Sequence, residues 1–127
     1  MSAEVVWLLG CLFTAHYLGD FTPLLNKRML AAKRNGRPVG PIALHGAIHG
    51  ALAAGAVGLA ASPPIDVLGL AAAIVLVSHF AIDLGRAQLS ARFSALRDPG
   101  RGVFWSALGF DQLLHGLVLI GVATVVL

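Results

Sequence analysis

Charge is what this sequence most lacks. Charged residues occupy 12% of the 127 positions, against about 25% in a soluble domain. Hydrophobic residues reach 57%, and mean hydropathy is +0.83. That balance excludes an ordinary water-soluble domain and points to a bilayer. Cysteine is nearly absent too. Cys11 stands alone, so no internal disulfide can form and the redox compartment is not legible. No serine or cysteine is arranged with a histidine as nucleophile with base, which argues against acyl-enzyme chemistry. The net charge of +3 is modest, and no nucleic-acid partner is expected. The start of the chain lacks the basic run of a cleaved signal, Glu4 having the wrong sign. Too few apolar residues precede Leu8-Leu9-Gly10-Cys11 for a lipoprotein cleavage box.

Lysine and arginine are missing from both ends of the chain and from residues 62–66. All nine lie in two stretches, 26–37 and 86–101. By the positive-inside rule both stretches are cytoplasmic and both termini face outward. The same charges would attract anionic lipid headgroups.

What is abundant is apolar sequence, in four segments of roughly bilayer-spanning length: about 4–25, 41–61, 66–86 and 103–127. Proline and glycine punctuate them at Pro23, Pro38, Pro41, Ser62-Pro63-Pro64 and Asp98-Pro99-Gly100. The basic stretch 26–37 has a short helical appearance. In the other, Leu89, Phe93 and Leu96 share a helical face among Arg86, Arg92 and Arg97, the pattern of a helix lying in the interface. Gly46, Gly50, Ala54 and Gly58 recur every four residues, a small-residue stripe that suits close packing within the bundle or a homo-oligomer contact equally well.

His16-Tyr17-Leu18-Gly19-Asp20 recurs as His79-Phe80-Ala81-Ile82-Asp83. The same four-residue spacing links His45 with His49 and Asp111 with His115. Residues four apart share one helical face, so each pair directs two ligand-type groups the same way. The four pairs take up all five histidines and half of the six acids. His49-Gly50 with Gly55 is matched by His115-Gly116 with Gly121, so the halves look like two hairpins in the same orientation, related by a pseudo-two-fold axis along the membrane normal. The expected fold is all-α: one transmembrane domain over 1–127, a four-helix bundle of two tandem hairpins with short interfacial helices in the cytoplasmic loops.

Under that topology the four pairs reach one depth, between the bilayer centre and its cytoplasmic side. Intramembrane carboxylates are costly and usually functional. Asp20, Asp83 and Asp111 together would repel one another unless cations share the site. Two divalent ions with a bridging hydroxide balance three carboxylates, and eight nitrogen and oxygen ligands suit two transition-metal ions, zinc first and iron or manganese next. The bland alternative is histidine–aspartate pairs that only hold the bundle together, or a proton relay. Gln112 is placed to hydrogen-bond a ligand. Arg86 and Lys27, beyond Asp83 and Asp20, are candidates to bind an anionic substrate. Cys11, Tyr17 and Phe80 read as packing groups.

His16-Tyr17-Leu18-Gly19-Asp20-Phe21, His45-x-x-x-His49, Ser78-His79-Phe80-Ala81-Ile82-Asp83 and Phe110-Asp111-Gln112-Leu113-Leu114-His115 resemble a bacterial membrane family, domain-of-unknown-function family 3307. The resemblance covers nearly the whole chain. That family commonly has Leu-Gln after the first Asp-Phe. Here Thr22-Pro23-Leu24-Leu25 follows, so a role for that glutamine does not carry over. More loosely, the architecture looks like membrane proteins labelled metal-dependent hydrolases. The resemblance implies a protein of the bacterial inner membrane and a hydrolase using a metal-activated water. From the ligand set itself, Asp111 is the aspartate chosen as a general base. A metal-ion transporter or sensor, or a di-iron oxidoreductase, uses the same ligand set.

Overall fold

A computed structural model describes residues 2–127. The described residues form five α-helices and one short 3-10 helix, with no strand among them. The long helices are α1 (Ala3–Phe21), α3 (Val39–Ala61), α4 (Ile65–Arg92) and α5 (Gly102–Val126), and the short α2 (Lys27–Asn35) joins α1 to α3. A single 3-10 turn, Ser94–Arg97, lies between α4 and α5. Helices α3, α4 and α5 are long and apolar enough to cross a membrane. α1 has 19 residues, and Glu4, His16 and Asp20 dilute its apolar content.

Each long helix buries one narrow stripe, and the stripes change character along their length. In α1 the buried residues are Leu8, Leu12 and Ala15, then His16, Gly19 and Asp20. In α4 they are Ala71 and Val75, then His79 and Asp83, with Ala87 and Ser90 in the turns beyond. α5 runs the other way, Asp111 and His115 before Leu119 and Val122. α3 likewise has His45 and His49 before Ala53, Ala56 and Val57. Spacings of three and four keep these residues on one face. α1 and α4 each pack on both α3 and α5, so the polar ends of the four stripes meet at the basic-loop end. The apolar ends merge into a core of Leu8, Leu12, Val57, Val75, Leu119 and Val122. The exterior is apolar as well: Trp7, Phe13, Leu44, Leu59, Val77, Leu117 and Ile120 are exposed. Polar groups inside and apolar groups outside reverse the order of a soluble protein.

The small-residue stripe of α3 turns toward α4. A side-chain carbon at Gly50 would sit 2.8 Å from the Ala72 carbonyl oxygen, and one at Gly46 3.1 Å from that of Leu76. The stripe is thus used within the chain, letting the two backbones approach.

Two boundaries differ from the sequence expectation. α1 stops at Phe21 rather than near 25, because Pro23 has no N–H to donate and its ring disfavours a further helical turn. Thr22–Leu25 forms a turn closed by the Leu25 N–H on the Thr22 carbonyl, 3.0 Å. α4 instead runs through Arg92, about 42 Å at 1.5 Å per residue. The stretch expected to be a separate interfacial helix is therefore its last turns plus the 3-10 turn. Between Asp83 and Arg92, Gly85 is the weakest helix former, Ser90 being middling and the rest good, and one glycine is too weak a breaker. The chain turns extended at Phe93.

α2 docks across the same end. Asn26 caps it, accepting from the Met29 N–H at 3.0 Å, and Met29 and Ala32 are buried. Gly36 closes it at φ 75°, where a side chain would also press on Ala87 and Ala91 of α4. The Gln88 side-chain amide donates to the Gly36 carbonyl at 3.0 Å.

Candidate metal centre

All eight histidine and aspartate residues of the four pairs converge. Each is buried, the most exposed, His16, at 9%. Neighbouring imidazole centroids lie 3.6 Å apart for His49 and His79, 4.1 Å for His79 and His115, and 5.0 Å for His16 and His115. Three groups of side chains hold ligand atoms within 4.8 Å of one another. One is Asp20, His45, His49 and His79; another is Asp83, Asp111 and His115; the third is His16, His79 and His115.

The hydrogen bonding of this cluster does not close on itself. Asp20 Oδ1 is approached by His45 Nε2 at 2.9 Å, His49 Nε2 at 3.2 Å, His79 Nε2 at 3.6 Å and Lys33 Nζ at 3.6 Å. A carboxylate oxygen has two lone pairs, so four donors are more than it can serve. His49, His79 and His115 each have a buried Nε2 that faces a carboxylate oxygen at 3.2–3.5 Å without forming an aligned hydrogen bond, and Asp83, whose Oδ2 meets the Lys33 ammonium, accepts no aligned hydrogen bond at either oxygen. His45 Nε2 faces Asp20 Oδ1, an acceptor, and Lys33 Nζ at 3.4 Å, which can only donate. One nitrogen cannot answer both. Unpaired buried polar atoms of this number are destabilising, and imidazole nitrogens with carboxylate oxygens form the donor set of a divalent transition metal. The residues present fit such an ion.

Gln112 ties three of the eight together. Its side-chain nitrogen donates to Asp20 Oδ2 and to Asp111 Oδ2, each at 3.1 Å, and its oxygen lies 3.1 Å from His16 Nε2. Carboxylates only accept, so the amide nitrogen must face the two aspartates. The amide oxygen is left for His16, whose Nε2 therefore donates. The free lone pair of His16 is then on Nδ1.

Of the basic residues nominated from sequence, Arg86 lies beside the cluster. Its Nη1 is 3.8 Å from Asp111 Oδ2, and its guanidinium sits 6.0 Å from the Phe104 ring centroid. Lys27 is exposed at the first position of α2, away from the cavity described below. The residue that sequence reasoning missed is Lys33. Its Nζ is 3.0 Å from Asp83 Oδ2. Burial opposes its charge, but Asp83 and then Asp20 outweigh that effect, so its pKa stands above the ordinary lysine value. The missed signal was periodicity: Met29, Ala32, Lys33 and Gly36 share one face of α2, which places Lys33 on the docking side. Among the packing groups, Cys11 is half-buried against the apolar core. Tyr17 is exposed and stacks on Phe21, and Phe80 packs against Ala32, Ile42 and Ala87.

Above the cluster a cavity of about 390 Å³ opens between the end of α1, α2, the end of α4 and the start of α5. Asp20, Asp111 and Gln112 line it together with Lys33, Arg34, Arg86 and Arg97, and Phe21, Leu25, Leu30, Leu96, Phe104 and Leu108 supply apolar wall.

The family model described as "Protein of unknown function (DUF3307)" matches residues 8–127. The chain belongs to that family. The match takes in every residue of the cluster, of Gln112 and of the cavity wall. No curated protein and no solved structure matches the chain. The family's description assigns no reaction, so function has to be argued from the site.

Proposed function

We propose that this DUF3307 protein is an integral-membrane, metal-dependent hydrolase acting on an anionic amphiphile. In this reading the four long helices all cross the bacterial inner membrane, as two hairpins related by a pseudo-two-fold axis, with both basic loops cytoplasmic. Asp20, His45, His49 and His79 are the main metal ligands. Asp83, Asp111 and His115 complete the centre, and His16 orients it through Gln112. The donor set suits zinc first, then iron or manganese.

The reading is supported above all by the buried Nε2 atoms of His49, His79 and His115, which face aspartate oxygens without an aligned hydrogen bond and gather beside a cavity walled by arginines and apolar side chains. A divalent ion bound there supplies Lewis acidity and lowers the pKa of a water it holds. The chain's own contribution is positional. Gln112 fixes the two aspartates by donating to both and leaves one oxygen of Asp111 without a hydrogen-bond partner, so Asp111 is the residue suited to take a proton from an attacking water. Arg34, Arg86 and Arg97 would meet an anionic head, and Phe21, Leu96 and Phe104 the chain behind it.

An alternative use of the same ligands, transport of a metal ion, needs a polar path to the far side of the bundle. The buried residues there are apolar, Leu8, Leu12, Val57, Val75 and Leu119 among them, which favours an enzyme.

The test is elemental analysis of detergent-purified protein, combined with a turnover screen on lipid-linked phosphates and other anionic amphiphiles. Bound divalent metal, with turnover lost on chelation and restored by the ion, supports the reading. Metal-free protein that is stable and fully folded would defeat it. Redox-active iron would redirect it to an oxidoreductase, and rapid exchange of ions across liposome membranes to a transporter.

A further inference from the structure

Lys33 is unexpected in a cluster of metal ligands, yet its ammonium reaches the middle of it. Nζ lies 3.0 Å from Asp83 Oδ2 and 3.6 Å from Asp20 Oδ1. The backbone beneath it is fixed. Met29 and Ala32 of the same helix are 2% and 0% exposed, Asn26 caps its start, and Gln88 holds its end to α4. Lys33 is thus a built-in part of the centre. Arg86 stands in a similar relation to Asp111, Nη1 to Oδ2 at 3.8 Å.

The consequences fall on the second ligand group, Asp83, Asp111 and His115. Both of its carboxylates already face a fixed cation, whereas Asp20, His45, His49 and His79 form a four-ligand set with only one carboxylate, shared with Lys33. Three carboxylates against Lys33, Arg86 and one divalent ion leave a single positive charge. A second divalent ion would leave three, or two with a bridging hydroxide, among buried side chains where like charges repel strongly.

We infer that the centre holds one divalent ion, at Asp20, His45, His49 and His79, and that Lys33, with Arg86, takes the place of a second cation at Asp83 and Asp111. The inference rests on the metal-centre reading above and replaces the pair of ions that ligand counting from the sequence favours.

The test is zinc stoichiometry by equilibrium dialysis and elemental analysis of the full chain in detergent. Wild type should retain one zinc per chain. Lys33→Met, which keeps the length and removes the charge, should gain a second, weaker equivalent, and Lys33→Arg should stay at one. Adding Asp83→Asn to Lys33→Met should abolish the second equivalent and spare the first. Two equivalents in wild type would overturn the inference, as would a Lys33→Met protein that still binds only one. Should Lys33→Met fail to fold, the wild-type count decides alone. No zinc in any variant is a distinct result: it removes the metal centre itself.

Discussion

The imidazole of His49 occupies the space that a side chain at position 19 would need. A carbon added to Gly19 would overlap the His49 ring at Cε1 and Nε2, and both residues are buried. The glycine of His16-x-x-Gly19-Asp20 thus keeps α1 open to the His49 imidazole from α3, one residue before Asp20 reaches into the same cluster. Gly19→Ala should push His49 off its position toward Asp20 Oδ1, now 3.2 Å away. The expected result is a folded protein whose metal affinity is lowered by about 10–100-fold, the range for residues that position a ligand. Competition with a chromophoric chelator measures it. Unchanged affinity would mean that His49 is not a ligand.

His16 and His49 belong to the same cluster but should behave differently. His49 Nε2 faces Asp20 Oδ1 without an aligned hydrogen bond, while His16 Nε2 donates to Gln112. His49→Ala should release the metal. His16→Ala should retain it with an affinity reduced by about tenfold, because Gln112 loses one of three anchors. Elemental analysis after dialysis distinguishes the two. Equal loss from both variants would place His16 among the ligands.

The contact of α3 with α4 gives a prediction about stability alone. A methyl group at Gly50 would meet the Ala72 carbonyl at 2.8 Å and Leu76 Cβ at 3.1 Å, whereas one at Gly55 would meet nothing within 4 Å. Gly50→Ala should destabilise the fold by roughly 1–3 kcal/mol, the usual cost of overpacking. Gly55→Ala should be neutral or gain up to about 1 kcal/mol from helix propensity. Thermal unfolding in detergent, followed by circular dichroism, separates them.

The convergence of the eight side chains was legible because they obey one local rule. A four-residue spacing fixes a shared helical face, so the repeat of His16 and Asp20 in His79 and Asp83 already implies convergence once the helices pack. Gln112 was legible by adjacency to Asp111. Lys33 was not, because a lysine in a basic loop is fully accounted for by topology and lipid attraction, and only the docking of Met29 and Ala32 turns it inward. The helix ends followed the same division. Pro23 is a strong stop and still left the boundary four residues out. The run from Gly85 to Arg92 has no strong stop at all, so its amphipathic pattern looked like a separate helix when it is the end of α4. Sequence periodicity finds faces, while tertiary docking decides which face is covered.

The cavity wall separates basic residues that should matter for binding from one that should not. Arg34 and Arg97 line the cavity beside Leu25, Leu30 and Leu96, and Lys27 does not. If an anionic head sits there, removing either arginine takes a positive charge from a partly desolvated pocket, where a charge-assisted hydrogen bond is worth about 1.5–3 kcal/mol. Arg34→Ala and Arg97→Ala should each raise KM for an anionic amphiphile by roughly ten- to a hundredfold. kcat should change little, since neither residue touches the metal ligands. Lys27→Ala should leave both constants unchanged. Raising the salt concentration should weaken binding to wild type more than to the double variant, because screening acts on charges that are present. A double variant with wild-type KM and wild-type salt dependence would mean that the arginines serve membrane topology alone, and that the substrate reaches the centre by another route.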